Sequence, residues 1–154
     1  MSLNIVLCEP QIPQNTGNIS RTCAVVGATL HLIRPLGFEI TESRVKRAGL
    51  DYWDKLDIFY YDGLDEFLRG RREEELFLFS TKATTFYSDV TYPDGAYLVF
   101  GREDAGLPEW VLERYRGRCV KLPMREDLRS LNLSNTAAVA AYEFYRQRGF
   151  PGLI

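Results

Sequence analysis

The sequence predicts a single α/β domain, residues 1–154, in which helices cover both faces of a mainly parallel sheet. Short apolar runs, which are typical of strands, alternate along the chain with segments of helical periodicity. A chain of 154 residues is long enough for one hydrophobic core and short for two. The hydrophobic share of 45% and the charged share of 26% are those of a soluble globular protein.

The first half of the chain contains two apolar runs that stop at turns containing proline, as buried strands do. Between them, apolar residues recur at helical spacing after a polar start and before a glycine. The predicted elements are a strand at residues 3–7, a helix capped by Asn15 or Thr16 that runs to Gly27, a strand at Thr29–Ile33 and a short basic helix at residues 41–48.

The second half repeats the alternation of strand and helix. Its predicted strands lie at residues 57–61, 76–80, 96–100 and 119–122, and its predicted helices at residues 64–69, 110–115 and 134–148. The last helix has an apolar face made of Ala137, Ala138, Ala141, Tyr142 and Tyr145. Parallel sheets bind ligands where their strands end, so the turns after the strands are the predicted location of a site.

Composition excludes several classes of protein. The formal net charge of −2 argues against a protein that coats nucleic acid nonspecifically, although local basic patches remain compatible with it. Cys8, Cys23 and Cys119 are isolated in apolar segments, which indicates reduced thiols and no metal site. The single histidine, His31, lies in a predicted strand and is interpreted as structural. Without a membrane-length apolar stretch or a leader, we expect a cytoplasmic protein.

The first polar motif, residues 13–21, follows the first predicted strand and reads Pro-Gln-Asn-Thr-Gly-Asn-Ile-Ser-Arg. A helix that begins here presents backbone N–H groups to an anion. Arg21 lies further along the helix, where a guanidinium can reach a phosphate or carboxylate. Capping needs only one of these polar residues, so an anion site and a plain helix cap are both compatible with this motif alone.

The second motif, residues 99–108, reads Val-Phe-Gly-Arg-Glu-Asp-Ala-Gly-Leu-Pro. Leu107 and Pro108 stand where a phosphate-binding loop needs Lys and Ser or Thr, which excludes a nucleoside triphosphate site of that kind. The glycine spacing also fails the dinucleotide pattern. Gly101 lets another backbone or a flat ring approach closely, and Glu103 adds a carboxylate. An ordinary strand-to-helix turn is the alternative.

The third motif comprises Lys-Leu-Pro-Met at residues 121–124 and Arg-Ser-Leu-Asn-Leu-Ser-Asn-Thr-Ala-Ala at residues 129–138. Capping explains one or two of its polar residues but not all four, which are Ser130, Asn132, Ser134 and Asn135. The small residues that follow allow another segment to pack very close.

The three motifs together, in this order, resemble the SPOUT superfamily of RNA methyltransferases, and within it the small tRNA wobble-position 2′-O-methyltransferases of the TrmL or YibK type. The resemblance extends from Leu3 to about Gly152. It implies a deep C-terminal trefoil knot and S-adenosylmethionine as methyl donor, without a metal. It also implies transfer to a ribose 2′-hydroxyl of the wobble nucleotide, cytidine or a modified uridine, of tRNA. The expected assembly is a homodimer formed by the first and last helices, around Tyr142.

The resemblance also assigns roles to particular residues. It places the methyl donor among Phe79, Gly101, Leu122, Ser130 and Leu131. It assigns catalysis to Arg21, Asn15, Glu103, Ser134 and Asn135: Glu103 would orient Asn15 or Arg21, and Ser134 and Asn135 would hold the methionine end of the donor or the incoming ribose. Because a guanidinium stays charged in proteins, Arg21 is interpreted as a phosphate clamp and oxyanion stabiliser, with a phosphate or Ser134 taking the proton.

Three alternatives stay open at this point. One is a 2′-O-methyltransferase of ribosomal RNA, and another is a non-catalytic RNA-binding protein on the same fold. The third, should the resemblance mislead, is an α/β nucleotide-binding enzyme of other chemistry, which thermal stabilisation by S-adenosylmethionine would distinguish.

Overall fold

The computed structural model describes residues 2–39 and 54–154. A six-stranded sheet forms its centre, with the strand order β3-β2-β1-β5-β4-β6. The strands are β1 (Leu3–Cys8), β2 (Thr29–Ile33), β3 (Ile58–Tyr61), β4 (Leu76–Phe79), β5 (Ala96–Phe100) and β6 (Cys119–Val120). Each of the five strand pairs in the described residues is parallel, so the predicted sheet is confirmed.

Helices cover both faces of the sheet, as predicted. They are α1 (Pro13–Val26), α2 (Leu64–Leu68), α3 (Glu109–Arg114) and α4 (Leu133–Arg146). Alternate residues of β1 point to opposite faces: Leu3, Ile5 and Leu7 belong to the core formed with α1 and α4, whereas Val6 and Cys8 belong to the core formed with α2 and α3.

Several predicted boundaries and one predicted face differ from the structure. The strand predicted at residues 119–122 ends at Val120, because Lys121 forms a parallel bridge with Phe86 of a preceding loop. The buried face of α4 includes Ala140 and Phe144, while Tyr142 is exposed. The prediction placed Tyr142 on the apolar face because its spacing fits helical periodicity. The basic helix predicted at residues 41–48 lies outside the described residues.

Two of the three cysteines, Cys8 and Cys23, are buried. Burial raises the pKa of the thiols of Cys8 and Cys23 to about 12 each, so both stay protonated. Cys119 is half-buried, and its thiol contacts the carbonyl oxygens of Leu112 and Tyr115. Within residues 2–39 and 54–154, no helix has the length and apolar character needed to cross a membrane.

His31 is the centre of a buried polar network that crosses the sheet. Asn4 donates its amide hydrogens to the carbonyl oxygens of Gly95 and Ala96, so its Oδ1 faces His31 Nε2 at 2.9 Å and that nitrogen carries the proton. His31 Nδ1 lies 2.9 Å from the Tyr61 hydroxyl, which accepts from Arg71 at 2.9 Å. Burial, reinforced by the positive charge of Arg71, lowers the pKa of His31 to about 4.

Because of this network, the free energy of unfolding depends on pH. In the unfolded chain His31 takes up a proton near its ordinary pKa of 6.5, whereas in the folded chain it does so only near 4. The stabilisation from neutral His31 is therefore complete above pH 6.5 and is lost as the pH falls from 6.5 to 4, by about 3 kcal/mol at most. We expect denaturant titrations to show that H31Q loses less unfolding free energy than the wild type across this range. Parallel pH curves for the two proteins would contradict this.

Candidate active site

A cleft of about 500 Å³ opens where β4 and β5 end. Phe79 and Phe100, the last residues of these strands, stack with ring centroids 4.6 Å apart in its wall. Ile12 and Asn15, which follow β1, line the other side. The chain passes from β1 to β2 on one side of β1, while β5 lies on the other, so the cleft occupies a topological switch point of the sheet.

Gly101 makes the tight turn at the end of β5 possible. The next residues form a short hairpin in which Arg102 and Gly106 exchange backbone hydrogen bonds of 3.2 and 2.8 Å. A Cβ atom on Gly101 would lie 2.1 Å from the carbonyl carbon of Gly106 and 2.2 Å from the nitrogen of Leu107. Only glycine fits where the two backbones approach this closely, as the sequence predicted.

Glu103 caps the start of α1 from a distant part of the chain. Its carboxylate accepts hydrogen bonds from the backbone nitrogens of Gln11 and Ile12, each at 2.8 Å, and from Asn15 Nδ2 at 3.2 Å. The prediction that Asn15 or Thr16 is the N-cap is wrong, because α1 begins at Pro13 and its N-cap, Ile12, provides no side-chain acceptor. The carboxylate takes that place and complements the positive end of the helix.

Asn132 joins the start of α4 to the start of α1. Its Oδ1 accepts from the backbone nitrogens of Ser134 and Asn135, at 2.9 and 3.2 Å, and from the Ser134 hydroxyl at 2.6 Å. Its Nδ2 donates to Asn15 Oδ1 at 3.1 Å. The Asn15 amide is therefore fixed between Glu103 and Asn132. Sequence reasoning did not assign Asn132 to the site, although its position before the helix carried the signal of a cap.

The two functions of Asn132 can be separated by substitution. N132D keeps an oxygen cap for α4 but loses the donor to Asn15, whereas N132A loses both. We expect N132A to lose about 1 kcal/mol of unfolding free energy and N132D little. Calorimetric titration with S-adenosylmethionine, the ligand that the resemblance implies, should show weakened binding for both variants. If N132D binds as tightly as the wild type, the link to Asn15 has no part in the site.

The five residues predicted to hold a ligand all line the cleft: Phe79, Gly101, Leu122, Ser130 and Leu131. Three apolar side chains of its wall, Ile12, Met124 and Leu131, are 37–45% exposed, which offers open apolar surface to a flat ring. Within the part of the chain that the structure describes, no group of His, Cys, Asp or Glu side chains is suited to hold a metal ion.

The predicted catalytic residues divide into two groups. Asn15 and Glu103 line the cleft and contact each other. Arg21, Ser134 and Asn135 are not among the residues of its wall. Ser134 is buried in the α4 cap, while Arg21 and Asn135 are exposed on α1 and α4. Arg21 lies about 9 Å further along the helix axis than Asn15.

The fold and the cleft define a doubly wound α/β protein with a cleft at the ends of its central strands, where such folds bind their ligands. The chain belongs to the SpoU rRNA Methylase family, whose profile matches residues 2–142. This confirms the resemblance to RNA methyltransferases that the motifs indicated.

Individual relatives match over almost the whole chain. A Listeria monocytogenes protein named putative tRNA (cytidine(34)-2′-O)-methyltransferase is 48% identical, over 100% of this chain and 93% of its own length. An Escherichia coli K12 protein named tRNA (cytidine(34)-2′-O)-methyltransferase is 45% identical, over 99% of this chain and 98% of its own length. A solved structure described as "Structural insights into the 2-OH methylation of C/U34 on tRNA" is 46% identical and has a TM-score of 0.89. The match covers 96% of this chain and 97% of the chain in that structure.

Proposed function

We propose that the protein transfers a methyl group from S-adenosylmethionine to the ribose 2′-hydroxyl of nucleotide 34, the wobble position of tRNA. The target is cytidine or a modified uridine, and the enzyme acts in the cytoplasm. The observation that carries the proposal is the cleft itself, into which all three sequence motifs contribute residues. Relatives that match along the whole chain at 45–48% identity are named for this reaction, which favours tRNA over ribosomal RNA.

The cleft fits the methyl donor in size and chemistry. Its volume of about 500 Å³ lies within the range of small-molecule sites, and its wall combines polar groups with exposed apolar side chains. Leu122 and Leu131 would cover the adenine faces, and backbone groups near Gly101 and Ser130 would bind its edge. When bound, S-adenosylmethionine supplies an electrophilic methyl carbon on a positively charged sulfur.

The chain's own residues would position the ribose and stabilise the developing charge. In-line orientation of the attacking oxygen can supply about 7 to 11 kcal/mol of the barrier reduction. Arg21 would bind a phosphate of the RNA and stabilise the developing oxyanion. The buried Ser134 hydroxyl already donates to Asn132 at 2.6 Å, so we assign proton acceptance to a phosphate oxygen and not to Ser134.

We also propose that the active enzyme is a homodimer formed by α1 and α4. The two helices pack side by side on one face of the sheet. Their outer faces carry the exposed apolar residues Val25, Val139 and Tyr142 together with the exposed Arg21 and Asn135. A second copy seated on this face would bury the apolar residues and bring its own Arg21 and Asn135 toward a site that one chain leaves incomplete.

The dimer can be tested with two aromatic residues of equal exposure. Tyr142 is 44% exposed on α4. Trp110 is 43% exposed on α3, a helix that packs on the opposite face of the sheet. We expect Y142E to sediment as a monomer and to lose tRNA methylation, because a buried charge disrupts an apolar contact. W110E should remain dimeric and active. A proven monomer with full activity would refute the shared site.

The family resemblance further leads us to propose the C-terminal trefoil knot. Lys121 pairs with the loop at residues 85–87 through backbone bonds of 2.8 and 3.0 Å. Beyond it, the end of α4 binds the same loop further along, where Gln147 donates to the Val90 carbonyl at 2.9 Å. Passage of the chain from Lys121 onward through this loop would account for the contacts that Lys121 and Gln147 make with it.

Methyl transfer can be tested with the protein, labelled S-adenosylmethionine and, in separate reactions, bulk tRNA and ribosomal RNA from a strain that lacks the gene. We expect label at one nucleotide, the 2′-oxygen of position 34, mapped by nuclease digestion and mass spectrometry. Label in ribosomal RNA alone would support the alternative substrate. Binding of RNA without any transfer would support a non-catalytic protein.

A further inference from the structure

The segment between β6 and α4, residues 122–132, forms a rim along the cleft, and we call it the rim loop. It contains no helix or strand. Leu122, Met124 and Arg129 line the cleft, as do Ser130 and Leu131. At its outer end, the backbone nitrogen of Leu128 donates to the carbonyl oxygen of Arg125 at 3.2 Å, which closes a tight turn.

Leu128 lies on this turn with 61% of its surface exposed. Among the large apolar side chains that the structure describes, only that of Ile154, the last residue, is more exposed. Along the rim loop Leu128 lies between Met124 and Leu131, two exposed apolar residues of the cleft wall. Exposed apolar residues grouped beside a cleft mark contact with a ligand or partner.

The charges around the rim loop favour an anionic partner. Arg129 and Lys121 both line the cleft, and neither forms an ion pair with another described residue. The carboxylates of the same wall are engaged: Glu103 binds the start of α1, and Asp104 binds Arg102 at 3.0 Å. On the turn itself, Asp127 pairs with Arg125 at 3.6 Å, and the exposed Glu126 adds one negative charge.

We propose that Leu128 wedges against the base that adjoins the target nucleotide, while Arg129 and Lys121 bind the flanking phosphates. The proposal depends on the proposed function, because it assumes that the target ribose enters the cleft. Apolar wedges unstack bases at modest cost, and proteins recognise RNA mainly through unstacked loops.

The experiment uses an anticodon stem-loop carrying the fluorescent base 2-aminopurine next to position 34. Full-length wild type, L128S, L128M and the control I154S, which removes another exposed apolar side chain, are titrated against this RNA. We expect fluorescence to rise with wild type, L128M and I154S, because the base is unstacked, and not with L128S. In turnover assays, L128S should raise KM for RNA about tenfold and leave kcat within about twofold.

Three results would overturn the wedge. The first is an L128S protein with the fluorescence response and KM of the wild type. The second is weaker binding of S-adenosylhomocysteine by L128S, which would assign Leu128 to the donor site. The third is dissociation of L128S in sedimentation, which would assign it to a contact between copies. Absence of methyl transfer by the wild type would refute the proposed function, while the fluorescence titration would still decide on the wedge.

Discussion

The variant G101A is expected to bind the methyl donor roughly a hundredfold more weakly than the wild type. Its added Cβ would lie 2.1 Å from the carbonyl carbon of Gly106 and 2.2 Å from the backbone nitrogen of Leu107. Neither is a flexible side chain, so the hairpin must open. Because Arg102, Glu103 and Gly106 all lie on that hairpin, its displacement changes one wall of the cleft and the cap of α1 together.

Two glycine variants serve as controls for G101A. A Cβ on Gly117 meets nothing within 4 Å, so G117A should bind the donor as the wild type does. Gly106 has an equally open environment but a φ of +71°, so G106A should show only the strain of that conformation, about 1 kcal/mol. Calorimetric titration with S-adenosylhomocysteine, with circular dichroism to verify folding, measures the three. A folded G101A with wild-type affinity would show that the close approach is unnecessary.

The variant R21A is expected to lose about a thousandfold in kcat/KM for tRNA, and R21K to keep a small residual activity. A lysine retains the charge of Arg21 but not the planar pair of donors that binds a phosphate. Since Arg21 is not part of the cleft wall, affinity for S-adenosylhomocysteine should not change in either variant. The loss is therefore expected in the methyl-transfer and RNA-binding steps alone.

R69A is the matched control for R21A. Arg69 is likewise an exposed arginine, at the C-cap of α2, and α2 packs on the face of the sheet opposite to α1. Its replacement should leave kcat/KM unchanged. Normal turnover by R21A would refute the role assigned to Arg21, and an equal loss in R69A would indicate a general charge effect.

Local patterns in the sequence predict the elements well, because a strand or helix core depends on residues a few positions apart. The predicted N-cap of α1 was wrong because the cap is not local. The carboxylate that caps this helix belongs to Glu103, about ninety residues away along the chain. The same limit applies to Asn132, whose contact with Asn15 joins two helix starts that no periodicity relates. Likewise, the sequence marked His31 as structural, but only the fold shows the burial and the nearby positive charge of Arg71 that lower its pKa and keep it neutral.

The turn after the strand that ends at residue 100 was predictable as part of a site, because parallel sheets bind ligands where their strands end. Phe79 was placed beside Gly101 only by the family resemblance, and the structure shows both residues in the cleft wall. Arg21 and Asn135 could not be placed this way, because both are exposed on the faces of helices. Under the proposed function both residues act on RNA or across a dimer contact, and local spacing in the sequence reveals neither.

A crystal structure with bound S-adenosylhomocysteine, the demethylated product, tests the central claim most directly. We predict the adenine ring between Leu122 and Leu131, with its edge toward the backbone at Gly101 and Ser130. The sulfur should face the side of the cleft on which Asn15 lies. A ligand found elsewhere on the protein, with this cleft closed by its own side chains, would contradict the assignment.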